Sequence, residues 1–385
     1  MKTPHFTRLI LSLLATAAFA IGAETPIDPK PAPAEDRPRV QLAVLLDTSN
    51  SMDGLIAQAK QQLWQIVNEF IAAKQDGKAP RVEVALYQYG NDGLSAEKGF
   101  VQQLAPLTQD LDALSEKLFA LKTNGGSEYC GWVIRDAVRD LAWDDSPKVY
   151  KAVFIAGNEE FTQGPVKYSA SCKDAIKRGI IVNTIHCGSE AEGIKGKWKD
   201  GAVLADGRFL TIDHNAQVAN VTAPQDKEIA ELNVKLNTTY LAYGRAGAEG
   251  KMRQETQDAN AKMAPAPATV QAARAKTKAS SNYSNSQWDL IDAVKEKKAD
   301  VAKLKDEELP EELRQVEPAK RAAVVAEKSA EREQLQKQLL ALSTEREKFV
   351  AQQMKQPAEA KTLDKAVTSA VREQAAKKAF VFEGK

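Results

Sequence analysis

The sequence VQLAVLLDTSNS, residues 40–51, indicates the fold of this chain. Residues 40–46 are almost continuously apolar, as expected of a strand that is buried on both faces of a parallel sheet. The polar run DTSNS, residues 47–51, follows directly, and residues 56–70 then show the spacing of apolar side chains that is typical of a helix. A strand, a polar loop and a helix in this order predict an α/β domain.

Further apolar runs repeat this pattern along the chain. We predict buried strands at residues 82–89, 149–156 and 179–187, helices at residues 132–141 and 171–177, an edge strand at 100–107 and a last strand at 208–212 before a helix at 226–241. Parallel strands joined by helices imply helices on both faces of the sheet. We therefore predict a doubly wound α/β domain with a mostly parallel sheet over residues 39–245.

The composition changes after this domain. Residues 246–287 are rich in Ala, Gln, Lys and Ser, and Pro265 and Pro267 interrupt any helix, so we expect a linker with partial helix. Residues 288–385 carry both charges in nearly equal number, few aromatic residues and many good helix formers. We expect a charged helical extension there.

One face of this extension has a short leucine repeat. Leu335, Leu339 and Leu342 share a helical face, but Lys328 and Arg346 occupy the same register. Because a strong coiled-coil signal needs about three to four heptads, we favour a solvated amphipathic tail that packs on its own domain or on a partner. A short coiled coil is the alternative.

The N-terminus has the features of an export signal. Lys2 and Arg8 precede an apolar run at residues 9–20, and small residues continue to Ala23, as in secretory signal peptides. The run is shorter than the ~20 apolar residues of a transmembrane helix. We expect a signal peptide at residues 1–23, a Pro-rich linker at 24–38, and a mature protein that is periplasmic or secreted, with no membrane span.

The charge and histidine content limit the classes of function. The chain has 53 Lys+Arg against 52 Asp+Glu, a formal charge of +1, whereas a general nucleic-acid binder should be clearly basic. It contains 3 His, of which His5 falls in the predicted signal peptide. A hydrolytic triad of His186 with Ser49, Ser51 or Ser127 is an alternative, but no G-x-S-x-G elbow supports it. We predict that the protein is not an enzyme.

Side chains with oxygen atoms are found in two predicted loops, one after the first strand and one just before a helix. Asp47, Ser49 and Ser51 lie in the loop after the first strand, and Ser127 follows two glycines just before a helix. Ligands of open parallel sheets bind outside the carboxyl ends of the strands. A carboxylate with several hydroxyls is a ligand set that suits Mg²⁺, which keeps part of its water.

The pattern D-x-S-x-S after a buried strand, with G-G-S downstream, resembles the von Willebrand factor type A domain family. This family has a metal-ion-dependent adhesion site with D-x-S-x-S in the first loop, Thr in a second loop and Asp in a third. The resemblance implies that Asp47, Ser49 and Ser51 are metal ligands and that Ser127 replaces the Thr. It further implies an exported bacterial type of protein with such a domain.

The third loop departs from the family pattern. The strand at residues 149–156 continues into Gly157, Asn158, Glu159 and Glu160, so glycine stands where the family has aspartate. Asn158 and Glu159 are therefore our candidate third-loop ligands, with Glu160 as a further carboxylate. The resemblance implies a site for Mg²⁺, or for Mn²⁺ or Ca²⁺, and we expect weak affinity.

The function implied by this resemblance is non-catalytic protein binding. The metal would offer an open coordination position to an acidic side chain of a protein partner, in adhesion or assembly at the cell envelope. The alternative is a structural envelope scaffold that binds through its helical tail and has a degenerate metal site.

The cysteines Cys130, Cys172 and Cys187 allow one disulfide in an exported protein. We expect a bond between Cys172 and Cys187, because a helix start and a strand end would share one edge of the sheet, and Cys130 would remain free. A zinc site of cysteines with His186 is less favoured, because no C-x-x-C or H-x-x-x-H spacing supports it.

Overall fold

The structure, a computed structural model, describes Met1 and residues 37–354 and 362–382. The predicted signal peptide, apart from Met1, and most of the predicted linker lie outside the described residues. The described residues from Arg37 onward belong to one compact unit. Within the described ranges, no helix has the length and apolar character needed to cross a membrane.

The described residues contain strands and helices in alternation. The strands are β1 (Arg39–Asp47), β2 (Ala73–Lys74), β3 (Arg81–Tyr89), β4 (Val101–Thr108), β5 (Tyr150–Gly157), β6 (Ile181–Cys187), β7 (Phe209–Ile212) and β8 (Val381–Phe382). The helices are α1 (Asp53–Asn68), α2 (Leu111–Phe119), α3 (Cys130–Asp140), α4 (Tyr168–Lys177), α5 (Glu190–Lys195), α6 (Trp198–Val203), α7 (Asp226–Asn237), α8 (Gly247–Met263), α9 (Pro267–Lys278), α10 (Leu290–Lys295), α11 (Glu311–Arg314), α12 (Pro318–Gln353) and α13 (Leu363–Ala376).

The main sheet has the strand order β4-β3-β1-β5-β6-β7. Strand β1 pairs in parallel with β3 on one side and with β5 on the other, and β6 and β7 continue in parallel. Only the edge strand β4 is antiparallel, where Pro106 is tolerated because an edge leaves one row of amides unpaired. The predicted doubly wound, mostly parallel sheet with a C-terminal helical extension is confirmed.

Alternating side chains of the strands build a hydrophobic cluster on each face of the sheet. Leu42 and Leu46 of β1 belong to the cluster that also contains residues of α1, α2 and α13. Ala43 and Leu45 belong to the opposite cluster, with residues of α3 and α4. The helices therefore cover both faces, and the polar loops are confined to the edges of the sheet.

The expected disulfide between Cys172 and Cys187 is wrong. All three cysteines are free and buried. Cys172 of α4 belongs to one hydrophobic cluster, whereas Cys187 at the end of β6 belongs to the cluster on the other face. A disulfide needs Cα atoms within about 7 Å and facing Cβ atoms, and the sheet separates the two side chains.

The C-terminal residues pack against the sheet. Helix α13 lies against α1, and its Gln374 accepts hydrogen bonds from Tyr150 of β5 (2.9 Å) and from Asn183 of β6 (3.1 Å). Strand β8 pairs with β2. One face of the sheet is thus completed by residues that follow β1 by more than three hundred positions.

The long helix α12 also packs on the chain itself. Leu335 and Leu339 are buried in the cluster that includes residues of α7 and α9. Arg346, which interrupts the leucine repeat, forms an ion pair with Asp226 at the start of α7 (2.5 Å). The apolar stripe that a coiled-coil partner would use is covered within this chain.

A fully buried ion cluster joins α2, α8 and α9. Arg274 of α9 binds Asp112 of α2 (2.6 Å) and Asp258 of α8 (2.5 Å), and Lys278 of α9 also binds Asp258 (3.0 Å). The Arg274 guanidinium also stacks on the ring of Trp64, 4.7 Å from its centroid. We call Asp112, Asp258, Arg274 and Lys278 the paired cluster. It fixes three helices to one another.

Candidate functional site

The candidate site lies where the strand order of the sheet reverses. The loop after β1 leads to α1 on one face, whereas the loop after β5 leads to α4 on the other. Asp47 ends β1 and Gly157 ends β5, in neighbouring strands. A crevice between such loops is the usual ligand site of a doubly wound sheet.

Asp47 is a buried carboxylate that is only half satisfied. Its side chain has no exposed surface. Oδ1 accepts a hydrogen bond from the Ser49 amide (2.8 Å), but Oδ2 has no hydrogen-bond partner among the described residues. Burial is the main cause that raises the pKa of Asp47 to about 7; the Ser49 amide opposes this rise, and the charges of Glu128 and Glu159 add to it.

The structure brings Ser49, Ser51 and Asn158 together. The Ser49 and Ser51 hydroxyl oxygens are 3.2 Å apart, and Asn158 Nδ2 donates to Ser51 Oγ at 3.1 Å. The chain turns at Asn50–Met52 directly after Ser49, so both hydroxyls stay at the edge of the sheet. Side chains of the first and third loops therefore lie side by side.

Ser127 and Glu159 are less firmly placed. Ser127 is half-buried, and its hydroxyl makes no hydrogen bond within the described part of the chain. Glu159 is exposed, and its carboxylate receives a weak contact from Gln163 (3.5 Å) while its carbonyl accepts from Trp198 Nε1 (2.7 Å). The charge of Glu159 contributes to the raised pKa of Asp47, but no hydrogen bond holds the two side chains together.

Glu128 is the site residue that the sequence analysis missed. It follows Ser127 in the second loop, is 5% exposed, and its amide donates to Gln163 Oε1 (3.3 Å). Burial and then the charge of Glu159 raise its pKa above the ordinary value. The signal in the sequence was an acidic residue two positions after the Gly-Gly pair and shortly before α3, but nothing in the sequence distinguishes it from a solvated glutamate.

Two glycines leave room for these carboxylates. At Gly157 a methyl group would lie 2.5 Å from the Tyr89 hydroxyl and 2.9 Å from Asp47 Oδ2. At Gly126, where φ is 151°, a methyl group would lie 2.1 Å from the Gly90 carbonyl oxygen. A side chain at either position would displace the groups that form the floor of the site.

The donor set fits a hard divalent cation. An unpartnered oxygen of a buried aspartate, two hydroxyls and an amide oxygen share one crevice with a second buried carboxylate. The described residues contain no group of three or more His, Cys, Asp or Glu side chains that could hold a metal by themselves. Hydroxyls and water would have to complete the coordination shell, as is usual for Mg²⁺.

His186 and Cys130 do not add chemistry to the site. His186 is buried against Trp198, with ring centroids 5.6 Å apart, and makes no hydrogen bond with Ser49, Ser51 or Ser127. Burial lowers its pKa, which Glu192 only partly offsets. Burial also raises the pKa of the Cys130 thiol well above its ordinary value, so this cysteine stays protonated and unreactive.

The comparisons with known proteins agree with this architecture. Residues 41–193 match the family model described as von Willebrand factor type A domain, so this part of the chain is similar to the family that the sequence motifs resemble. No curated protein matches the chain. Domains of this family are generally non-catalytic binding modules, and many mediate protein–protein interactions.

Several solved structures are similar to part of the chain. They include proximal thread matrix protein 1 from the mussel byssus (12% identity, 46% of this chain and 43% of that chain covered, TM-score 0.33), BatB from Bacteroides thetaiotaomicron (16%, 45% and 90%, 0.33) and an aerotolerance-related membrane protein from Bacteroides fragilis (17%, 46% and 93%, 0.30). The chain thus spans less than half of the mussel protein.

Proposed function

We propose that this protein binds a protein partner, without catalysis, through a divalent cation held at the carboxyl edge of its sheet. The observation that carries the proposal is the buried Asp47 carboxylate, whose Oδ2 has no hydrogen-bond partner among the described residues. A buried charge is costly unless it is paired or coordinates a metal. The match of residues 41–193 to a family of binding modules supports the same proposal.

The cation would be held by the residues that the sequence singled out. Asp47 would supply the essential negative charge, Ser49 and Ser51 would supply hydroxyls, and Ser127, Asn158 and Glu159 line the second and third loops. Mg²⁺ is the preferred ion for such oxygens, with Mn²⁺ or Ca²⁺ as substitutes. When bound, the ion would supply an open coordination position for an acidic side chain of the partner. Because position 157 lacks a carboxylate, we expect weak affinity for the ion alone.

The rest of the chain would present this site. We propose that residues 1–23 direct export, that residues 24–38 form a linker, and that the binding domain at residues 39–245 acts in the periplasm or outside the cell. Residues 246–287 and 288–385 would then support the domain, since their helices pack against its sheet and against α7. Adhesion or assembly at the cell envelope is the process we propose.

A scaffold that binds through its helical tail is less well supported. Leu335 and Leu339, the apolar residues that such a tail would offer, are buried within the chain. Arg332 on the same helix is also buried and paired with Asp289 (2.6 Å). The tail therefore has little apolar surface left for a partner along this stripe.

Capture of a partner from a cell-envelope extract tests the proposal. The protein without residues 1–23 is used as bait with Mg²⁺ or with EDTA, beside Asp47→Ala and beside Asp145→Ala, which changes an exposed aspartate away from the site. We expect one set of proteins to be retained by wild type and Asp145→Ala with Mg²⁺, and lost with EDTA or in Asp47→Ala. Equal capture with EDTA and with Mg²⁺ would favour the scaffold instead.

A further inference from the structure

We infer that Glu128 supplies the second carboxylate of the cation site, in place of the third loop. This inference rests on the proposed function and deepens it, because it assigns the fixed negative charge of the site to one loop rather than another. The sequence pointed to Asn158 and Glu159 for this role, and the geometry points instead to Glu128.

The end of β5 has no room for a carboxylate. The Tyr89 hydroxyl donates to the Ala156 carbonyl (3.0 Å) and is thereby fixed next to Gly157. It lies 2.5 Å from where the first side-chain atom at position 157 would be, and Asp47 Oδ2 lies 2.9 Å from the same point. An aspartate at this position would collide with a fully buried tyrosine and with the carboxylate that it should assist.

The Glu128 side chain lies close to Asp47 and Ser49. A methyl group on Gly90 would lie 2.9 Å from Asp47 Oδ1 and equally 2.9 Å from Glu128 Cγ. A methyl group on Gly126 would lie 2.6 Å from Glu128 Oε1 and 2.8 Å from Ser49 Cβ. The Glu128 side chain is therefore directed toward the first-loop residues Asp47 and Ser49.

The side chain of Glu128 is buried, whereas that of Glu159 is exposed. The Glu128 amide donates a hydrogen bond to Gln163 Oε1, and its carbonyl accepts one from the Cys130 amide (3.0 Å) at the start of α3. A rigid carboxylate loses less entropy on binding an ion than an exposed one that must first be ordered.

The two carboxylates have no basic partner in the part of the chain that the structure describes. Asp47 is fully buried with an unpartnered oxygen, and neither Asp47 nor Glu128 forms an ion pair with another described residue. Like charges in one buried crevice repel each other. A cation between Asp47, Glu128 and the Ser49 hydroxyl would remove this repulsion.

Calorimetric titration with Mn²⁺ and Mg²⁺ tests the inference on wild type, Glu128→Gln and Glu159→Gln. The two variants remove one charge each from neighbouring loops and keep the shape of the side chain. We expect Glu128→Gln to weaken Mn²⁺ binding by at least about tenfold, the lower range for groups that support a metal site, and Glu159→Gln to change it by less than about twofold. Circular dichroism of both variants checks that they fold.

The outcomes separate the inference from the proposed function. If wild type binds Mn²⁺ and Glu159→Gln loses binding while Glu128→Gln keeps it, the inference is overturned and the proposed function stands. If wild type binds neither ion, both are overturned. Gly157→Asp supplies a second test that does not require Glu128→Gln to fold: we expect it not to tighten binding, and a clear gain in affinity would show that the third loop can carry the carboxylate.

Discussion

Two buried acidic regions of this protein differ in the charges that surround their carboxylates. In the paired cluster, burial alone would raise the pKa of Asp258, but the charges of Lys278 and Arg274 lower it well below its ordinary value. At the carboxyl edge, burial raises the pKa of Asp47 to about 7, and the nearest charges, on Glu128 and Glu159, are negative. The described residues thus supply cations to the paired cluster but form no ion pair with Asp47.

The difference lies in how the cost of burying the carboxylates is met. Burying a carboxylate away from water costs free energy. In the paired cluster, ion pairs of 2.5 to 3.0 Å offset that cost. At the carboxyl edge the same cost is not offset by any ion pair of Asp47 in the described residues. We interpret the first region as a lock between helices and the second as a site for an external cation.

The largest effect should come from breaking the paired cluster. Arg274→Met leaves Asp112 and Asp258 buried with one remaining cation, so we expect the free energy of unfolding to fall by about 3 to 5 kcal/mol, as for other broken buried pairs. Urea unfolding followed by circular dichroism measures it. Arg139→Met is the matched control, since Arg139 pairs with aspartates but is 58% exposed, and it should cost no more than about 1 kcal/mol.

Acid should weaken the paired cluster next. Because the pKa of Asp258 is lower in the folded protein than the ordinary value, its contribution to stability is present above about pH 4 and is lost as pH falls further. The measurement is the free energy of unfolding between pH 7 and pH 2.5. Asp258→Asn should be less stable than wild type at pH 7 but lose less stability on acidification. Parallel losses in both proteins would show that Asp258 is not specially stabilised as an anion.

A smaller effect is expected where the floor of the site is crowded. In Gly157→Ala the new methyl group would meet the Tyr89 hydroxyl and Asp47 Oδ2, so we expect a loss of roughly 1 to 3 kcal/mol, as for overpacked cores. Adding Tyr89→Phe removes the hydroxyl and should recover part of the loss. A double-mutant cycle of thermal unfolding measures this coupling, and strictly additive effects would contradict the proposed contact.

The sequence predicts the sheet better than it predicts the surroundings of the site. Near-continuous apolar runs mark β1, β3, β5 and β6, because strands buried on both faces are mostly apolar. The D-x-S-x-S motif identifies the first-loop residues, because it directly follows β1 and the end of a buried strand lies at the carboxyl edge of the sheet. Each of these features depends on residues that are close together in the chain, so it can be recognised from the sequence.

Other features depend on which groups meet in space. Cys172 and Cys187 are both near strand or helix ends, but only the structure shows that they lie on opposite faces of the sheet. Glu128 looks like any exposed glutamate until the loops after β1 and β3 enclose it. Pro267 interrupts a helix in the sequence, yet it begins α9, because proline also suits the first turn of a helix.

Stabilisation of the protein by Mg²⁺ through Asp47 would be the most direct evidence of a cation site. Urea unfolding at neutral pH is compared for wild type and Asp47→Asn, each with EDTA and with Mg²⁺ well above the dissociation constant. We predict that Mg²⁺ raises the free energy of unfolding of wild type, by about 2.7 kcal/mol at 100 times that constant, and leaves Asp47→Asn unchanged. An equal rise in both proteins, or no rise in wild type, would contradict the claim that Asp47 is a carboxylate awaiting a cation.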